Sequence, residues 1–175
     1  LGKRTNMTAA NLYNYYRNKN QLIIAIHKKT FELLYKMLIE SIEHENDPVQ
    51  KIKNIMNTFI SFGKNYPNYY DVMFNRRLPQ LSDFTGTNEE MMSSDEYQSS
   101  IRNLHLVINI GKEIISAHPE LEGIDTEFYF IKIFSELHGV LSLHNSGVLK
   151  EMVNNADQIF DRMIDDLLTQ YINAQ

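Results

Sequence analysis

An all-α fold is predicted by three features of this 175-residue chain. Apolar residues recur three and four apart almost throughout, and no stretch alternates with the two-residue period of a strand. Helix-start signals recur at intervals of helical length. Hydrophobic residues make up 43% and charged residues 22%, the composition of a globular protein with a sizeable core.

The elements follow in order. A basic stretch over 1–5 leads to Asn6, and Thr8 to Tyr16 reads as a short helix. A long helix runs from Lys19 to about Glu45. Asp47-Pro48 is a cap followed by proline at the first helical position, opening a helix that reaches Asn65. Pro67 opens a shorter one through Tyr69, Tyr70, Met73 and Phe74. Residues 75–92, with Pro79 and Gly86, are polar and read as an irregular loop of a length that is usually functional or disordered. Ser93-Ser94-Asp95-Glu96 fits a capping box and starts a helix ending near His118-Pro119. Asp125 caps the next, to about Asn145, and Gly147 ends it. Glu151 to Ile172 reads as the last.

Charge is distributed unevenly. The net charge is −5, yet Lys3, Arg4, Arg17, Lys19, Lys28 and Lys29 all precede the first acidic residue, Glu32. A basic tip on an acidic body is the asymmetry expected of a protein that touches phosphate at one end. The tip also carries a pattern. Asn6 stands where a left-handed turn is needed and tolerates it well. Thr8 is a good N-cap, and Met7 can staple to Leu12. Leu12 and Tyr16, four apart, form the buried stripe, which leaves Ala10, Asn11, Tyr13 and Asn14 outward or on the flanks. Small residues and amides on an outward face suit close approach to base edges in a major groove. Asn18 is the expected cap of the following helix. Lys19 in its first turn opposes the helix dipole unless a phosphate binds there.

Leu12, Tyr13, Tyr16, Lys19 and Leu22 fall in register with the second half of the helix-turn-helix of Tet-repressor (TetR) family regulators, which the segment resembles. Asn6 replaces the usual turn glycine and Tyr16 the usual Phe. The resemblance implies that Ala9, Ala10, Asn11, Tyr13 and Asn14 meet bases, and that Thr8, Tyr13, Tyr15 and Lys19 meet phosphates. The family's first helix and most of its second have no counterpart, so the head is expected to be truncated, with residues upstream of Leu1. The division expected is a truncated helix-turn-helix head over 1–30 and a larger helical-bundle domain for ligand binding and dimerisation over 31–175.

In the body, Phe59, Phe62, Tyr66, Tyr70, Met73 and Phe74 form an aromatic-rich set on two consecutive helices. His105 and Ile108 on a later helix, with Phe134 and His138 on another, could complete a pocket for a small apolar or aromatic ligand; the same residues serve equally as plain core. Residues 62–74 look like the start of a regulatory domain found in some TetR-family members. Glu136-Leu137-His138-Gly139 resembles that domain's Trp-x-x-His-Gly signature, with Phe or Ser nearest the Trp position. Ser135, Gly139, Ser142 and Ser146 make a small-residue stripe permitting close helix approach. Phe160, Met163, Ile164, Leu167 and Tyr171 belong to a wide apolar face on the last helix, packing either on its own domain or in a four-helix bundle shared by a homodimer. A regulator that spans two half-sites needs such a two-fold pair.

Cysteine is absent, which removes disulfides, thiolate metal sites and a Cys nucleophile, and suits a reducing cytoplasm. No apolar run approaches a membrane span, and the start is not a signal peptide. His138 and His144, six apart, face different ways, so no metal or other cofactor is expected. No nucleophile stands beside a base, and no Gly-rich phosphate loop occurs, so catalysis is not expected. The reading is a cytoplasmic DNA-binding regulator, a repressor released from its operator by a ligand. The alternatives are a helical protein-interaction module, a ligand-independent architectural DNA binder, and a carrier or enzyme built on a helical bundle.

Overall fold

The computed structural model describes residues 15–76 and 80–172, with side chains as far as Gln170. Seven α-helices and no strand occur among them. The helices are α1 Lys19–Ile42, α2 Pro48–Asn65, α3 Pro67–Tyr70, α4 Glu90–Ala117, α5 Thr126–Asn145, α6 Val148–Met152 and α7 Ala156–Ile172. α1 packs along α4 and against α2, while α2 also meets α4, α5 and α7. α2 is therefore the central rod. Its faces carry Ile52, Ile55, Met56, Phe59, Ile60 and Phe62, all buried.

Local chemistry sets most of the ends. The Asn18 side chain accepts from the Gln21 amide at 2.9 Å and fixes the start of α1, as expected from the sequence. The Asp47 carboxylate accepts from the Val49 amide at 3.0 Å, with Pro48 in the first turn of α2. Asp125 takes the amides of Glu127 and Phe128 at the start of α5. Gly147, at φ +85°, turns the chain between α5 and α6 in the left-handed region that glycine alone enters freely.

Three expectations are corrected. The helix read as starting at Ser93 starts at Glu90, and Ser93 is buried inside it. The start signal lies earlier, at Thr87: its hydroxyl accepts from the Glu89 amide, and Glu90 reaches back to the Gly86 amide at 2.9 Å. Residues 75–92 are not structureless among those described. Leu81–Phe84 form a 3₁₀ turn with Phe84 buried, the Gln80 amide donating to Asp83. The last helix is two, α6 and α7, separated at Val153–Asn155, with the Asn155 side chain accepting from the Gln158 amide at the start of α7.

The core is one continuous cluster running through α1, α2, α4, α5 and α7. Met56, Phe62, Ile114, Leu141, Ile164 and Leu167 are essentially inaccessible. Burial of each such side chain contributes about 1.5–3 kcal/mol before the cost of ordering it. α2 and α5 come close at Gly63, where a Cβ would lie 2.9 Å from a Leu141 methyl and 3.1 Å from the Tyr70 ring. The Asn145 amide donates to the Gly63 carbonyl across the same contact.

Candidate functional site

The helices leave an apolar cavity of about 320 Å³ between them. α1 contributes Phe31, Leu34 and Leu38 at helical spacing, and α2 contributes Ile52, Ile55, Met56 and Phe59. α4 adds Ser100, Ile101, Asn103, Leu104 and Val107; α5 adds Phe130, Ile131, Ile133, Phe134 and Leu137. The chain after α3 closes the remaining side. Asp71–Asn75 form a π-helical turn, and its wider coil presents Phe74 to the cavity.

Phe74 is the hub of an aromatic wall. Its ring centroid lies 5.5 Å from Phe134, 5.8 Å from Phe59, 6.1 Å from Phe31 and 5.0 Å from Tyr70. Most of these pairs are tilted or edge-to-face, the arrangement that ring quadrupoles favour. Behind the wall, the Tyr70 hydroxyl lies 2.7 Å from His138 Nδ1, and the His138 ring stacks on Phe134 at 5.8 Å. Burial raises the Tyr70 pKa and lowers that of His138. Both groups are therefore neutral near pH 7. One hydrogen bond joins the neutral phenol to the neutral imidazole at Nδ1.

Phe59, Phe74 and Phe134 of the expected ligand set line the cavity. Tyr70 and His138 brace it from behind. The others are placed differently. Phe62 and Met73 are core, buried away from the opening. Tyr66 is exposed and stacks on Tyr69 at the surface. His105 is exposed, and Ile108 lines a separate void of about 30 Å³. The face of α4 that meets the cavity is 100/101, 103/104 and 107, about one residue around the helix from the expected 105/108. Phe31, Leu34 and Leu38 were missed; their three- and four-residue spacing on α1 was a visible signal.

At the other end of the molecule, Thr8, Ala9, Ala10, Asn11, Tyr13 and Asn14 lie outside the described residues. Tyr15 and Lys19 are both exposed. The start of α1 is clasped to the start of α4. The Glu89 carboxylate accepts from Asn18 Nδ2 at 2.8 Å and Gln21 Nε2 at 3.1 Å. The Asn18 amide is the main cause of a lowered Glu89 pKa. Farther along, His27 Nδ1 lies 2.5 Å from Glu96, and Lys28 pairs with Asp95 at 3.1 Å. α1 then runs unbroken past residue 30 to Phe31 and the cavity.

The expected dimer residues divide. Phe160, Ile164 and Leu167 are buried in this chain's own core, so the apolar face of α7 is covered by α2 and α5 and is not free for a partner. Met163 is partly buried against the same core, and the Tyr171 side chain lies outside the described residues. Ser135 and Gly139 are exposed on α5, and Ser142 is half-buried. They share a stripe with Phe128, Ile131 and Leu143, which are large apolar residues left exposed. Among the described residues, no His, Asp and Glu grouping could hold a metal ion, and no helix is long and apolar enough to cross a membrane.

No protein-family model matches the chain, and no curated protein does. Two solved structures share its fold. A protein of unknown function from Rhodococcus sp. RHA1 aligns with a TM-score of 0.73 and 17% identity, over 96% of this chain and 80% of that one. A structure described as "putative regulatory protein SCO4313" aligns with a TM-score of 0.68 and 18% identity, over 96% of this chain and 82% of that one. At such identities the likeness is one of fold: an all-helical arrangement that this chain shares with a protein described as regulatory.

Proposed function

We propose that this chain is a ligand-responsive transcriptional regulator of Tet-repressor type. The observation that carries the reading is an apolar cavity of about 320 Å³ whose wall includes α1, the helix that begins at the exposed Lys19 beside the basic N-terminal segment. A purely structural bundle gains nothing from such a void, since each unfilled space costs packing energy. The basic, acid-free segment before Glu32, its register with a helix-turn-helix, and a fold shared with a protein described as regulatory point the same way. In this reading the segment over 1–30 belongs to a DNA-binding head. The body homodimerises through the exposed Ser135–Gly139 face of α5. An apolar or aromatic ligand between α1, α2, α4 and α5 moves α1 and so changes the spacing of the two heads.

Coupling needs a path, and the clasp of Asn18 and Gln21 on Glu89 supplies one. It ties the first turn of α1 to the start of α4, which lines the cavity farther along, over residues 100–107. The test is selection of bound duplexes from a random library by the intact protein, followed by affinity measurement across salt. A regulator enriches one two-fold-symmetric sequence, and its affinity falls steeply with salt. No enrichment, with no salt dependence, overturns the proposal and favours a protein-interaction module.

A further inference from the structure

The hydrogen-bond donors of the cavity wall are all spent within the protein. Among the wall residues only Ser100 and Asn103 carry a side-chain O–H or N–H. The Ser100 hydroxyl has a single proton and donates it to the Tyr97 carbonyl on its own helix at 2.8 Å. The Asn103 amide nitrogen donates to the Ser99 carbonyl at 2.9 Å and to the Phe31 carbonyl of α1 at 3.3 Å, which uses both of its protons. Its Oδ1 is buried and closed to an occupant. The wall residues of α1, α2, α4 and α5 all lie beyond the first four residues of their helices, so their backbone N–H groups are committed to carbonyls one turn back. Among the described residues the wall holds no Lys, Arg or His. What faces the space is the rings of Phe31, Phe59, Phe74, Phe130 and Phe134, with other apolar side chains between them.

Resting on the reading of the cavity as a ligand site, we propose that its occupant is an uncharged, hydrocarbon-like aromatic molecule, which the wall selects by refusing hydrogen-bond acceptors and anions. An acceptor carried into the cavity leaves its bonds to water behind and meets no free donor, so it bears its desolvation in full. A carboxylate is rejected more strongly, because the wall offers no cation and removing an ion from water is expensive. A hydrocarbon gives up nothing polar on entry and keeps the whole benefit of burial. The rings favour a flat aromatic occupant, whose faces and edges match theirs in offset and tilted pairs. Specificity is a difference between occupants, and here it is set by what the wall withholds. Size follows from the volume. A dry cavity of about 150 Å³ accepts benzene, so about 320 Å³ suits a bicyclic molecule of roughly ten to twelve heavy atoms.

Naphthalene, quinoline and 2-naphthoate test the proposal by isothermal titration calorimetry on the intact protein at neutral pH. Quinoline keeps the shape of naphthalene, stays uncharged, and replaces one C–H by an acceptor nitrogen. Naphthalene is expected to bind about tenfold tighter than quinoline, with the naphthoate weakest. Ser100→Ala should leave the ratio of naphthalene to quinoline affinity unchanged to within about twofold, because the proton it removes is already spent. Quinoline binding within about threefold of naphthalene, a preference for naphthoate, or a ratio that widens beyond about twofold in Ser100→Ala reveals a donor in the wall; each overturns the inference and leaves the cavity reading intact. Failure of all three probes overturns the cavity reading itself. The probe series on the unaltered chain decides the matter even if the Ala variant does not fold.

Discussion

Replacing Tyr70 with Phe removes one oxygen from a side chain that is wholly inaccessible to water. The ring keeps its contacts with Phe59 and Phe74, so the change isolates the bond to His138 Nδ1 at 2.7 Å. The lost bond and the orphaned, half-buried imidazole nitrogen together cost about 1–2 kcal/mol, below the upper limit for a buried acceptor because His138 is only partly covered. For a chain of this length each kcal/mol shifts Tm by about 2–4 °C, so Tyr70→Phe should melt about 2–8 °C lower. Thermal and urea unfolding followed by circular dichroism measure it. The stricter assay is a double-mutant cycle with His138→Phe, where the two hydroxyl-to-imidazole deletions should be coupled by about 1 kcal/mol or more. Additive losses, or a Tyr70→Phe variant as stable as the parent, would show that the pair does not hold the rear of the aromatic wall.

Other expectations are checked as simply. Burial lowers the His138 pKa below its usual 6.5, so the unfolded chain binds the proton more readily than the folded one. The stability from this site is therefore full above about pH 6.5 and is lost as pH falls through the folded-state pKa; the difference between parent and His138→Phe in urea titrations across pH 5–8 should shrink toward acid. Gly63→Ala should destabilise by about 1–2 kcal/mol despite the better helix propensity of Ala, because Leu141 is fully buried and cannot yield to a Cβ at 2.9 Å; chemical denaturation reads it. Glu89→Ala should release the start of α1, seen as faster amide hydrogen exchange at Gln21 and Leu22 with little change at the centre of the helix.

The fold was largely legible because its signals are local. Asp47-Pro48, Asp125 and Asn18 each act within three residues, and all three cap the helices they announce. The errors have the same locality in reverse. Thr87 and Ser93 both precede a Glu by three residues, and nothing within that window tells which one has its backbone free of a preceding helix turn; Gly86, at φ +74°, does so only in three dimensions. The break at Val153–Asn155 interrupts an apolar periodicity that continues on both sides of it. The candidate site was legible in part. Phe59, Phe74 and Phe134 reach the cavity, but Phe62 and Met73 sit on the same two segments and face the core. A hydrophobic stripe fixes that a face is buried and not whether other atoms or empty space lie opposite it. Asn103 illustrates the point: its side chain bonds the Phe31 carbonyl of α1, a contact that exists only in the assembled helices.

A contrast of the same kind runs along one helix pair. The α1–α4 interface is polar near its start, through Glu89, Asp95 and Glu96, and apolar farther along, where Phe31 and Leu34 face Leu104 and Val107 across the cavity. Asn103 lies between these zones and bonds the Phe31 carbonyl on α1. Asn103 is thus a residue on α4 joined to both helices. Exposed ion pairs such as Lys28–Asp95 yield easily, being worth little in water. In the proposed function, a shift of α1 at the cavity would be felt at this polar end, the end that carries Tyr15 and Lys19. The ionic contacts of α1 with α4 thus stand next to the basic segment, and the cavity stands at their far end.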